Sequence, residues 1–163
     1  MMGVVRVHQT WTEVWEAAYA GLMRHLDNRR NGRRDRYGAE QDAAIGSEWH
    51  IMGAIGEQAV CKWRGTEWRP MAFGIIDAGD CEVRATNAHY KRLVVHREDR
   101  DDVPFILAHV VPGELPTVTL TGWLLGRDAK REEWWGEANP AKPNGRPAYW
   151  VPNDALRGLA ELT

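Results

Sequence analysis

In the first part of the chain, apolar residues return every three to four positions. Thr10 stands three residues before Glu13, the spacing of a capping box. From there Trp11, Trp15, Ala18, Tyr19, Leu22 and Leu26 share one face of a helix predicted over residues 12–27. The periodicity stops where Asn28, Asn31 and Gly32 punctuate a cluster of five arginines, Arg29, Arg30, Arg33, Arg34 and Arg36. A second helix is predicted over 40–63, ending before Gly65, with a core stripe of Ile45, Trp49, Met52, Gly56, Ala59 and Trp63. One residue further round lie Gly46, His50, Gly53, Glu57 and Val60. Glycine inside a helix costs about 0.5–1 kcal/mol relative to alanine. Gly53 and Gly56 therefore suggest close approach to another backbone, a sheet, which would set Glu57 at a helix–sheet seam.

After Pro70 the pattern changes to period two. Strands are predicted over 71–76, 81–86, 93–96, 105–111 and 118–125, with Asp77, Ala78, Gly79 and Asp80 forming a turn between the first two. Short connections make these strands mostly antiparallel neighbours. Asn153 is placed to cap a last helix over 154–162. The class this predicts is α/β in the α+β sense. A mostly antiparallel sheet is flanked by two N-terminal helices and a short C-terminal helix. The 163 residues suit one domain: 1–39 carry the first helix and the arginine loop, 40–128 the core, and 129–163 a C-terminal extension.

Composition narrows the function classes. Hydrophobic residues at 44% and charged residues at 27% argue for a folded chain rather than a disordered one. No apolar run approaches the roughly 18 residues that span a bilayer, so no membrane role is expected. The first ten residues show no basic-then-apolar leader, and a cytoplasmic location is the expectation. Cys61 and Cys81 are too few for a disulfide framework and lack zinc-ligand spacing. With a net charge of -2, nucleic-acid binding would have to come from a local basic patch. Arg29, Arg30, Arg33, Arg34 and Arg36 are that patch if they grip phosphates, and a solvated loop if they do not. Nine tryptophans against two phenylalanines fit a packed core and base stacking equally.

The candidate chemistry lies around the second predicted strand. Asp80, Glu82 and Arg84 are spaced by two, which on a strand gives them one face, with Cys81, Val83 and Ala85 on the other. Paired carboxylates suit a hard divalent cation such as magnesium. A solvent-facing strand stitched by ion pairs would carry the same triplet.

The order of elements adds to this. Gly53-Ala54-Ile55-Gly56-Glu57 on a helix precede Asp77-Ala78-Gly79-Asp80-Cys81-Glu82-Val83-Arg84-Ala85-Thr86, and Gly122-Trp123-Leu124-Leu125-Gly126-Arg127-Asp128 follow. The arrangement resembles the PD-(D/E)XK nuclease superfamily, in particular its small phage and prophage members, over about 45–128. The resemblance implies a restriction-endonuclease-like core and a metal-dependent nuclease that hydrolyses DNA phosphodiester bonds with Mg2+ or Mn2+. The host would then be a phage-infected cell. Carried over, the family's acidic ligand falls on Asp80 or Asp77, its second acid on Glu82 and its helix acid on Glu57. The implied metal set is Glu57, Asp77, Asp80 and Glu82, and the implied catalytic set Glu57, Asp80, Glu82 and Arg84. Arg84 stands where the family has lysine. An arginine stays protonated and is no general base, though it can hold a phosphate. DNA is the implied partner, and a homodimer is open to it, as many such nucleases pair to cut two strands. Two other readings remain. One is an inactive nuclease fold that binds DNA. The other is a tryptophan-rich module that docks a protein through Trp123, Trp134 and Trp135.

Overall fold

The computed structural model describes residues 3–32, 43–70, 77–136 and 147–162. The strand predicted over 71–76 and the arginines Arg33, Arg34 and Arg36 lie outside the described residues. In chain order the elements are β1 (Val5–His8), α1 (Trp11–Arg30), α2 (Ala43–Arg64), β2 (Glu82–Thr86), β3 (Leu93–Val95), β4 (Pro104–His109), β5 (Thr117–Leu125), the single turn α3 (Gly126–Ala129), β6 (Trp135–Gly136) and β7 (Ala148–Val151). They form three layers. α1 packs chiefly on α2, and α2 lies on a four-stranded sheet ordered β1-β5-β4-β2. A three-stranded antiparallel sheet, β3-β7-β6, joins the other side through a second core.

The central position of β4 follows from its composition. Ile106 and Ala108 join the core under α2 with Val83, whereas Phe105 and Leu107 join Leu93, Val95 and Val151 on the opposite side. A strand apolar on both faces belongs in the middle of a sheet covered on both sides. Pairing is mostly antiparallel, as expected, but β2 and β4 run parallel, with Glu82 opposite Phe105 and Arg84 opposite Leu107. The intervening β3 is the reason: it leaves this sheet to pair with β7.

α1 begins with the predicted capping box. The Glu13 amide donates to Thr10 Oγ1 at 3.1 Å, and the Thr10 amide donates to Glu13 Oε2 at 2.6 Å. The helix runs three residues beyond the predicted end. Its apolar stripe, however, is not the face it buries. Val14, Ala17, Ala20 and Gly21 pack inward, and Trp11, Trp15, Tyr19, Leu22 and Leu26 are exposed. Gly21 explains the choice: a Cβ there would lie 2.5 Å from the His50 carbonyl oxygen and 2.6 Å from Ile51 Cα. The two helix backbones touch, and only small side chains fit between them.

Of the two glycines predicted to meet a sheet, Gly56 does so. A Cβ on it would sit 3.2 Å from the Ala85 Cβ and 3.4 Å from that of Ala108. Gly53 has no described atom within 4 Å of that position.

The predicted helix over 154–162 is replaced by two 3-10 turns, Asn153–Ala155 and Leu159–Glu161. Between them Arg157 is extended and exchanges backbone hydrogen bonds with Trp123 of β5, at 3.1 and 2.9 Å. A strand-like contact at mid-segment excludes a continuous helix. The same contact corrects the proposed tryptophan surface. Trp123 is buried, and its Nε1 donates to the Gly158 carbonyl at 3.0 Å. Trp134 and Trp135 are half-buried, with the guanidinium groups of Arg131 and Arg97 over their respective rings.

The close approach at Gly21 makes a paired prediction. Gly21→Ala should destabilise the fold by about 1–3 kcal/mol through overpacking against backbone. Gly53→Ala should stabilise it by about 0.5–1 kcal/mol, because α2 gains helix propensity and loses no room. Urea denaturation of the two variants beside the wild type measures both.

Candidate functional site

Gly56 lets α2 settle on Val83, Ala85 and Ala108, and this carries the next residue, Glu57, into the seam. Glu57 is 9% exposed. A carboxylate so placed needs a cation and hydrogen bonds in place of water. Arg24, from the inward side of α1, supplies both. Its Nη1 and Nη2 donate to the two Glu57 oxygens at 2.9 and 2.8 Å, and its Nε donates to the Pro70 carbonyl at 2.6 Å. Burial pushes the Glu57 carboxyl above the ordinary glutamate range. The bonds from Arg24 draw it back, and the negative charge of Asp77 adds to the rise. Asp77, half-buried just before β2, is held in turn by the backbone N–H of Val83, which donates to its Oδ2 at 3.0 Å. Helix α2 and the approach to β2 thus bring one acid each within electrostatic reach of the other.

The other acids lie elsewhere. Asp80 forms an exposed ion pair with Arg64 at 2.9 Å. Arg64 is seven residues beyond Glu57, which is about 10 Å along the helix. The Cys81 thiol donates to Asp80 Oδ1 at 3.2 Å. Burial and that carboxylate push it up to about 12, so it remains a thiol at neutral pH.

Glu82 and Arg84 do share a face of β2, as their spacing predicts, but it is the face turned away from α2. The α2 face is taken by Val83 and Ala85. Arg84 lies 3.7 Å from Glu82, donates to Asp99 at 2.8 Å and to the Val94 carbonyl at 3.3 Å, and stacks over Phe105 at 4.8 Å. Burial raises the Asp99 carboxyl, but the Arg84 charge and the His96 backbone N–H outweigh it and hold the group below the ordinary aspartate range. The implied set Glu57, Asp77, Asp80 and Glu82 is therefore divided. Glu57 feels the charge of Asp77, Asp80 pairs with Arg64, and Glu82 lies across the strand. Among the described residues, no three His, Cys, Asp or Glu side chains gather as a metal-binding group.

Arg29 and Arg30 stand exposed in the last turn of α1. His50, Thr86 and His89, on or near the second helix and β2, each have a partner. The His50 ring lies against His25 at 5.4 Å, Thr86 bonds the buried His109 at 2.8 Å, and His89 pairs with Glu114 at 2.7 Å. The residue that sequence reasoning missed is Arg24. Its signal was present: Ala17, Gly21 and Arg24 recur at helical spacing on the small-residue face, and an arginine on a buried face implies a buried anion.

Two substitutions separate the roles of these ion pairs. Arg24→Met should destabilise by about 3–5 kcal/mol, because it leaves Glu57 buried and uncompensated, and adding Glu57→Leu should recover most of that loss. Urea titrations of the single and double variants measure it. Arg84→Met should cost about 1.5–3 kcal/mol at neutral pH, the worth of hydrogen bonds to a charged group. Asp99 is depressed in the fold, so its contribution is present above its unfolded value and lost as pH falls through the folded one. The gap between wild type and Arg84→Met should therefore close below the ordinary aspartate range. Stability curves taken from neutral to acid pH test this.

Scans of family models, of curated proteins and of solved structures return no match to this chain.

Proposed function

We propose that the chain is a divalent-metal-dependent phosphodiesterase acting on DNA, with Glu57 and Asp77 as its central acids. The observation that carries the reading is Glu57 itself, a carboxylate buried in the helix–sheet seam, with the negative charge of Asp77 within electrostatic reach. Charge stored in such a place is costly unless a ligand uses it. Two carboxylates completed by water and phosphate oxygens make a donor set that fits Mg2+ or Mn2+. When bound, the ion would supply a water of lowered pKa and neutralise charge on the phosphoryl group.

The chain's own residues have distinct tasks in this reading. Arg24 draws the Glu57 carboxyl back towards its ionised form and fixes its plane by holding both oxygens. The Val83 amide orients Asp77 through Oδ2 and leaves Oδ1 for a ligand. Arg29 and Arg30, with Arg33, Arg34 and Arg36 next in sequence, attract the phosphate backbone. Asp80 and Arg64 pair with each other at the end of α2, apart from Glu57. Arg84, committed to Asp99 and Val94, keeps the far side of β2 in register and leaves the phosphate to other groups.

A second reading has an observation of its own. Arg84 occupies the place of the lysine that the resemblance implies, and it is tied to Asp99. Arg24 takes both oxygens of Glu57. Both features suit a nuclease fold that binds DNA without cutting it.

Incubation with single- and double-stranded DNA in Mg2+ or Mn2+, beside Asp77→Asn and an EDTA control, distinguishes the two. Cleavage abolished by both controls is the expected result. Cleavage that survives EDTA would sink the metal reading. Binding that weakens steeply with salt, with no cleavage of any substrate, would favour the inactive fold.

A further inference from the structure

The outward face of α1 carries Trp11, Trp15, Tyr19, Leu22, Met23 and Leu26, exposed at 64%, 67%, 54%, 39%, 36% and 50%. Trp15 and Tyr19 stack, with ring centroids 5.7 Å apart. We propose that this stripe is the surface on which a second copy of the chain docks, the two α1 helices running antiparallel about a two-fold axis beside Tyr19. The proposal does not depend on the nuclease reading.

Area comes first. Aromatic side chains of this kind offer about 150–250 Å² each, so the six exposed residues present on the order of 600–700 Å². A stable interface needs about 800 Å² per partner, and the flanking residues of a helix pair make up the difference. Periodicity comes next. Trp15, Tyr19, Leu22 and Leu26 are spaced four, three and four, the repeat that keeps a seam facing a partner helix. An antiparallel pair centred between Ala18 and Tyr19 sets Trp15 opposite the second copy's Leu22, and Trp11 opposite its Leu26. Each indole then meets a branched aliphatic rather than its own kind.

Charge selects both the orientation and the occupant. The N-terminal half of α1 bears Glu16, with Glu13 already tied to Lys62 of α2 at 2.7 Å, and its last turn bears Arg29 and Arg30, followed in sequence by Arg33, Arg34 and Arg36. An antiparallel pair brings the acidic end of one helix towards the basic end of the other and opposes the helix dipoles. A parallel pair would gather two arginine clusters. Nucleic acid, the other ligand that exposed tryptophans suit by stacking, would run its phosphates past Glu16. A two-fold contact is also the commonest way for one patch to satisfy itself.

Sedimentation velocity of the full chain, from low to high micromolar, tests the proposal. A concentration-dependent dimer is expected. Trp15→Glu, on an exposed side chain, should weaken it by about 30-fold or more while circular dichroism stays as in the wild type. The helix orientation is read by cross-linking. Tyr19→Cys near the axis should form an intermolecular disulfide on oxidation, and Trp11→Cys should not. A monomer at every concentration overturns the proposal, as does a dimer indifferent to Trp15→Glu, or one that Trp11→Cys cross-links instead of Tyr19→Cys. A monomer whose DNA binding falls with Trp15→Glu also overturns it and makes the stripe a nucleic-acid surface.

Discussion

Three parts of the chain meet at one side chain. Arg24 leaves α1, spans the seam with α2, and binds both oxygens of Glu57 and the carbonyl of Pro70, where the chain departs from α2 towards Asp77. Without that guanidinium the Glu57 carboxylate would be a buried charge beside a second acid. A well-packed apolar pair at the same place would be as stable or more so, since a buried ion pair seldom repays its desolvation. Stability alone therefore gives no reason for charge here. The pair is accounted for once Glu57 is needed as an anion at that spot. Fold and proposed site then rest on the same contact, because the side chain that docks α1 on α2 also sets the charge and plane of the carboxylate.

How much of this could be read from the sequence depends on whether the signal is local. The start of α1 was legible because Thr10 and Glu13 satisfy each other's backbone within four residues. The strands 82–86, 93–95, 104–109 and 117–125 fell within two residues of their predicted ends, since alternation is a local property. The parallel pairing of β2 with β4 was not legible. Alternation tells which residues share a face and says nothing of which strand lies alongside. The C-terminal segment was misread for a similar reason. Residues 154–162 have a capped, helix-compatible pattern, but Arg157 is extended to meet Trp123, a partner 34 positions earlier.

The candidate site shows the same boundary between local and distant information. Spacing by two correctly set Glu82 and Arg84 on one face of β2. Which face that was depended on Gly56, 26 residues before Glu82, because the helix took the side with Val83 and Ala85 and left the charged pair on the other. Asp80 was grouped with them by extending the alternation backwards, but it sits in the turn with Gly79, whose φ of +66° breaks the strand's period. Asp77 lies ahead of that turn, held by the Val83 amide, and its negative charge is felt at Glu57. A turn can redirect a side chain that strand alternation would have sent elsewhere: Asp80 meets Arg64 at the end of α2 instead of joining Glu82.

The tryptophans follow from one geometric rule. Trp123 is buried because β5 and the C-terminal segment leave room for an indole whose N–H has a carbonyl to meet. Trp11 and Trp15 stay outside because α1 and α2 approach until backbone touches backbone at Gly21. At the closest point only glycine fits, flanked by Ala17 and Ala20, so α1 carries two usable faces: a small one, spent on α2, and a large aromatic one. A hydrophobic count favours the second as the core. Burial goes instead to the face that allows the closest approach, where many short contacts and the Arg24 ion pair act together, and the large residues face outward, where association between chains can use them.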